Sequence, residues 1–203
     1  GGTGIIVSQE AYHGTSDLTS GCSPALGSGQ PLPATTRLVP APDAYRIETD
    51  DLGDWFANQI QQQIDDMNAN GIKFAGFLAD SIFSSDGVMP NPIGFLKKAV
   101  DVVHANGGIF IADEVQPGFA RTGDSFWGFG RHGVVPDIIT TGKPMGNGYP
   151  IAGVVAGAEM VATFAAKGRY FNTFGGNPVA VATGMAVLDE LEQRQLQIGS
   201  AHV

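Results

Sequence analysis

Gly108-Ile-Phe-Ile-Ala-Asp113 and Pro136-Asp-Ile-Ile-Thr-Thr-Gly142, which runs directly into Lys143, are the two stretches that decide the fold. Each is short, rich in β-branched or aromatic residues and bounded by Gly or Pro, which predicts two buried strands. In open α/β sheets, ligands bind at the carboxyl ends of the strands. We therefore expect Asp113 and Lys143 to lie at one functional edge of a sheet.

An acid and an amine at one sheet edge suit a cofactor that has a basic ring nitrogen and an aldehyde, and pyridoxal phosphate fits that description. Lys143 stands between Gly142 and Pro144, which is an unusual place for a solvated surface charge. A lysine that forms a Schiff base is a recognised use of a desolvated amine. On the residues alone, Asp113 is equally compatible with a turn or helix cap.

Five motifs in order extend this interpretation: Asp113-Glu-Val-Gln116, Gly118-Phe-Ala-Arg-Thr-Gly123, Pro136-Asp137, Gly142-Lys143 and Thr173-Phe-Gly-Gly-Asn-Pro178. Together they resemble the class III pyridoxal-phosphate aminotransferases, and the resemblance runs from residue 5 to about residue 192. It implies a three-layer α/β/α sandwich with a mostly parallel sheet, as in the large domain of fold-type I enzymes. Residues 1–203 would then form a single, incomplete domain.

The resemblance also implies roles for individual residues. Lys143 would bind the cofactor as a Schiff base and carry the proton during amino transfer, and Asp113 would hold the pyridine nitrogen. Tyr12 and Val115 would cover the two faces of the ring, and Gln116 would reach its phenolic oxygen. Thr173 would contact the cofactor phosphate of a second subunit, which implies a homodimer.

Asp80 and Ala120 depart from the family pattern. Family members commonly have Glu-Pro where this chain has Asp80-Ser81, and Gly where it has Ala120. The roles of Asp80, Glu114 and His13 therefore stay open. An alternative within the family is a lyase acting on a phosphorylated amino alcohol, and an alternative of another class is a non-catalytic fragment or degenerate binding domain.

The charge of the chain excludes some function classes. A net charge of −9 with a pI near 4.7 opposes nucleic acid. Cys22 is the only cysteine, and the histidines at 13, 104, 132 and 202 lack ligand spacing, so no metal site is expected. The sequence has no apolar run of membrane-spanning length and no leader, which predicts a cytoplasmic protein without a membrane partner. The family resemblance implies small-molecule partners, an amino donor and a keto acid.

The remaining segments are assigned from their periodicity. Strands are predicted at 4–10, 73–79 and 151–156, and helices after Asp51, from Pro92, at 158–166 and after Asn177. Residues 15–43 show no sustained period and predict a long loop. Because family members carry a phosphate loop before this span and a small domain after it, we expect the isolated 203-residue chain to retain cofactor weakly and to be inactive.

Overall fold

A computed structural model describes residues 1–197, so His202 lies outside the described residues. Six strands form one sheet in the order β2-β1-β3-β4-β5-β6. The strands are β1 (Gly4–Ser8), β2 (Thr36–Val39), β3 (Phe74–Ala79), β4 (Ile109–Asp113), β5 (Ile138–Thr141) and β6 (Gly153–Ala156). All neighbouring pairs are parallel except β5 and β6, which are antiparallel. The predicted α/β class with a mostly parallel sheet is confirmed.

Five α-helices accompany the sheet in the described part of the chain. They are α1 (Asp17–Ser20), α2 (Leu52–Ala69), α3 (Leu96–Ala105), α4 (Ala158–Lys167) and α5 (Pro178–Gln193). Short 3₁₀ turns occur at Pro24–Leu26, Gly128–His132 and Lys143–Met145. Helices α2 and α3 pack on each other and against the central strands. No described helix is long and apolar enough to cross a bilayer.

Helix α2 shows how the sequence sets a helix and its buried face. The Asp51 side chain accepts a hydrogen bond from the Asp54 backbone N–H at 2.9 Å, which satisfies one of the free donors of the first turn. Phe56, Ile60 and Ile64 recur at helical spacing and are buried. Gly71, at φ +70°, turns the chain away after the last helical residues.

Phe56 is the centre of an aromatic cluster that joins α2 to the sheet. Its ring lies edge-on to the rings of Phe77, Phe83 and Phe95, with centroids 6.0, 5.5 and 6.0 Å away. Edge-to-face pairs of this kind add to the stabilisation from buried apolar area. The core therefore lies between α2, α3 and the sheet, directly beneath the strands that end at the functional edge.

Two assignments from sequence need correction. Helix α1 and strand β2 both lie within the segment 15–43 predicted as loop, because four residues each are too few to show a period. Helix α3 begins at Leu96 and not at Pro92, since Gly94 has φ +90° and keeps the chain out of the helix there. In α5, which begins after Asn177 as predicted, the apolar residues Val181 and Met185 are 49% and 53% exposed.

We expect Phe56→Ala to lower the free energy of unfolding by about 3–5 kcal/mol, because it opens a cavity among three other rings. The measurement is urea unfolding of the full-length protein followed by fluorescence. Phe56→Leu is the matched control and should lose less, since Leu retains much of the apolar volume. A loss under about 1 kcal/mol in Phe56→Ala would contradict this account of the core.

Candidate functional site

The carboxyl ends of β4 and β5 bring the acid and the amine to one edge, as the sequence predicts. Asp113 is the last residue of β4 and is paired in register with Thr140 of β5. Beyond the strand, the Glu114 backbone N–H donates to the Thr140 carbonyl at 2.8 Å, which continues the ladder. Lys143 follows two residues after β5 ends. Asp113 at the end of β4 and Lys143 just beyond the end of β5 therefore lie at the same edge of the sheet.

The Asp113 carboxylate is held on both oxygens. Oδ2 lies 2.7 Å from Nδ1 of His13, and Oδ1 accepts the Val115 backbone N–H at 3.1 Å. The side chain is only 12% exposed. Because each carboxylate oxygen has two lone pairs, the group can still accept a further donor through its open side.

Lys143 has an unusual backbone. Its φ is +27°, and it opens the short 3₁₀ turn Lys143–Met145. The residue is exposed, so the desolvated position expected from the sequence is wrong, because strand β5 ends two residues earlier. Non-glycine residues with positive φ are uncommon, and such strained residues cluster at functional sites. The described residues offer Lys143 no ion pair. The amine is therefore available to a ligand.

The other predicted cofactor residues occupy different environments. Val115 is half-buried, and Gln116 and Tyr12 are exposed after the ends of β4 and β1. Thr173 is exposed in the turn that precedes α5. That helix begins as predicted, because the Asn177 side chain accepts the Ala180 backbone N–H at 3.0 Å. Thr173 has no described contact with Asp113 or Lys143.

Glu114, next to Asp113, is a fully buried acid that the sequence left without a role. Its Oε1 accepts Ser81 Oγ at 2.9 Å and the Phe129 N–H at 3.0 Å, and its Oε2 accepts the Gly128 N–H at 2.7 Å. Burial raises the pKa of this carboxyl from its ordinary 4.5 to about 6, although these hydrogen bonds oppose the shift. Glu114 thus ties the 128–132 turn to the ends of β3 and β4.

Asp80 stabilises the turn that follows β3. Its Oδ1 accepts the Ile82 N–H at 2.9 Å, and its Oδ2 accepts the Ser84 N–H at 3.0 Å together with the Ser84 hydroxyl. Burial raises the pKa of Asp80 despite these bonds. A short side chain suits hydrogen bonds to the chain two and four residues on, which explains an Asp at this position.

His132 is a structural histidine rather than a ligand. Its Nε2 lies 3.0 Å from the Ser81 carbonyl, and its Nδ1 accepts the Gly94 N–H at 3.2 Å. Burial lowers the pKa of His132. This pattern requires a neutral ring with the proton on Nε2. No group of three His, Cys, Asp or Glu residues suited to a metal ion exists among residues 1–197.

Sequence reasoning missed His13 as a contact of Asp113, 100 positions away. The sequence shows only that His13 stands beside Tyr12 after a strand, and this position does not reveal that Asp113 is its partner.

A cavity of about 920 Å³, lined by Pro136, Glu159 and Phe164 among others, lies at the opposite end of β5 from Lys143. It contains none of the predicted site residues.

Comparisons with known proteins give the family context. The family model described as aminotransferase class-III matches residues 1–203. The human mitochondrial alanine–glyoxylate aminotransferase 2 is 38% identical over 98% of this chain and 43% of its own length. The mitochondrial homolog 2 from Arabidopsis thaliana is also 38% identical, over 98% of this chain and 41% of its own length.

A solved structure shows the same relationship. A phospholyase from Arthrobacter, in complex with phosphoethanolamine, shares 38% identity and superposes with a TM-score of 0.90. The match covers 97% of this chain and 47% of that one. The chain thus spans less than half the length of these relatives.

The cytoplasmic location predicted from the sequence is wrong by this comparison, since both of these aminotransferase relatives are named as mitochondrial. That prediction rested on the lack of a leader among the given residues. Because the chain covers 43% and 41% of these relatives, such a lack carries no weight.

We expect Glu114→Gln to remove part of the pH dependence of stability. Because burial raises the pKa of Glu114 to about 6 from 4.5, its favourable contribution is present below about pH 4.5 and is lost as the pH rises through about 6. The shift corresponds to about 2 kcal/mol. Urea unfolding of the full-length protein at a series of pH values measures it. The exposed Glu159→Gln should keep the wild-type slope, and the same slope in Glu114→Gln would refute the assignment.

Proposed function

Because the chain belongs to the class-III aminotransferase family, we propose that its parent protein transfers an amino group from an amino donor to a keto acid, using pyridoxal phosphate. The observation that carries this proposal is the convergence of Asp113 and Lys143 at the ends of neighbouring strands. The names of the relatives make alanine and glyoxylate the first donor and acceptor to assay. A degenerate binding domain has less support, since Asp113 and Lys143 are both present at the ends of neighbouring strands.

The residues present fit the cofactor ring. Asp113 is a largely buried carboxylate with spare acceptor capacity, which is what a protonated ring nitrogen requires as a partner. His13 and the Val115 N–H already orient the two carboxylate oxygens. Asp113 would therefore hold the proton on the ring nitrogen without having to reorganise.

Lys143 would hold the cofactor covalently through Nζ and then act as the general base and acid. Pyridoxal phosphate, when bound, supplies an electron sink for the charge left at the substrate Cα. The Nζ of Lys143 removes the Cα proton of the amino donor and later returns a proton. An amine that is unpaired and close to the site can perform both tasks.

Tyr12, Val115 and Gln116 complete the ring site in this proposal. The aromatic ring of Tyr12 and the branched side chain of Val115 would cover opposite ring faces, and Gln116 would donate to the phenolic oxygen. Tyr12 is 43% exposed, which is consistent with a face that a ligand covers.

A homodimer would bring Thr173 to the cofactor phosphate of the other subunit. Support comes from the exposed aromatic side chains beside it, since Phe171 and Phe174 are 85% and 78% exposed. Large apolar groups exposed together mark interaction surfaces. The free N–H groups at the start of α5 would favour an anion there.

A phospho-lyase is the second candidate, and the 38% identical phospholyase structure favours it. The two functions differ in what they consume. A transaminase needs a keto acid acceptor, whereas a lyase releases inorganic phosphate from phosphoethanolamine without one. Incubating the full-length protein with each substrate and measuring alanine consumption and phosphate release separates them.

We expect Lys143→Ala to lower turnover at least about a thousandfold, because the proton-transfer group is lost. Borohydride treatment of the wild type should fix the cofactor on the peptide that carries Lys143, as read by mass spectrometry. Lys167→Ala, which changes an exposed lysine of α4, is the matched control and should keep full activity. Cofactor fixed to another lysine, or unimpaired turnover in Lys143→Ala, would sink the proposal.

A further inference from the structure

A small polar cavity lies between the turns that follow β1 and β3. It encloses about 10 Å³, close to the least space that holds one water molecule. Its lining residues include Ser8, His13, Asp80 and Asp86. Polar cavities of this size hold ordered water, whereas apolar ones stay dry.

His13 supplies a second and independent observation. Its side chain is only 3% exposed, and Nδ1 lies 2.7 Å from Asp113 Oδ2. Because a carboxylate oxygen accepts, Nδ1 carries a hydrogen. Nε2 is buried and has no hydrogen-bond partner among residues 1–197. A buried polar atom left unpaired is costly and calls for a partner.

His13 belongs both to the lining of this cavity and to the contact with Asp113. Its Nδ1 faces Asp113, which does not line the cavity, and Nε2 is the ring nitrogen left without a partner among residues 1–197. Asp86, also in the lining, accepts Ser8 Oγ at 2.6 Å and the Glu10 N–H at 3.0 Å. Burial raises the pKa of Asp86, while those hydrogen bonds and the nearby His13 lower it. The acid keeps lone pairs for a further donor.

We propose that His13 is a positioning residue for Asp113 and that one ordered water in this cavity completes its hydrogen bonding. Nδ1–H donates to Asp113 Oδ2 and fixes the carboxylate, and Nε2 bonds to a water that Asp86 also holds. The rotation of the ring is then determined at both nitrogens. This inference rests on the proposed function, in which Asp113 meets the cofactor ring.

The first test compares His13→Asn, His13→Gln and His13→Phe in the full-length protein. The Asn amide nitrogen can replace Nδ1, the Gln amide reaches the position of Nε2, and Phe replaces neither. We expect His13→Asn to keep the dissociation constant for pyridoxal phosphate within about threefold of wild type. The other two should raise it roughly ten- to a hundredfold, as the loss of one charge-assisted bond predicts.

Two results would overturn the positioning role. One is wild-type affinity in His13→Phe, and the other is an equal loss in His13→Asn and His13→Phe, which would indicate packing alone. Should His13→Phe not fold, His13→Gln serves the same comparison with His13→Asn.

The second test needs no cofactor, so it stays informative if the wild type binds no pyridoxal phosphate and the proposed function fails. NMR of the cofactor-free protein should show a hydrogen-bonded Nδ1 proton on His13 that disappears in Asp113→Ala, which has no acceptor in its side chain. A high-resolution crystal structure should show one water within hydrogen-bond distance of Nε2 and Asp86. A missing proton signal, a dry cavity, or direct contact between Nε2 and Asp86 would overturn the arrangement.

Discussion

The parallel register of β4 and β5 is the constraint on which the site depends. Pairing of Asp113 with Thr140 places the acid at the strand end, and the Glu114 N–H to Thr140 bond holds the chain one residue further. Because side chains alternate along a strand, a slip of one residue would turn Asp113 to the other face of the sheet. The core beneath, centred on Phe56 and Phe77, fixes that register by burying one face.

Neutral donors, rather than basic side chains, offset the cost of burying acids at this edge. Glu114 is bonded by one hydroxyl and two backbone N–H groups, and Asp80 by the same kinds of donor. Such donors satisfy a carboxylate without adding positive charge. No described carboxylate forms an ion pair with Lys143, which leaves its amine free for the proposed chemistry. The pKa values of Glu114 and Asp80 are nevertheless raised, because these hydrogen bonds offset only part of the cost of burying the two carboxylates.

Local signals in the sequence predicted the parts of the site that lie on or beside regular elements. Asp113 and Lys143 follow strongly patterned strands, and the caps Asp51 and Asn177 precede clear helical periods. The contact between His13 and Asp113 spans 100 positions and depends on a loop that crosses the end of β3. No local pattern encodes such a contact. Strand β2 was missed for a related reason, since only its pairing with β1 makes four residues a strand.

The negative charge at this edge of the sheet also bears on where the ring and the phosphate of a phosphorylated cofactor would each bind. Asp80 and Glu114 lie close to Asp113, the proposed partner of the ring nitrogen, and Asp86 lies close to His13, which contacts Asp113. Such a cluster of acids suits a protonated ring nitrogen and repels a phosphate. In the proposed function, the donors for that phosphate come from elsewhere, such as the glycine-rich turn after Thr173 at the start of α5. Separating an acidic ring site from a donor-rich phosphate site would fix which end of the cofactor faces Asp113.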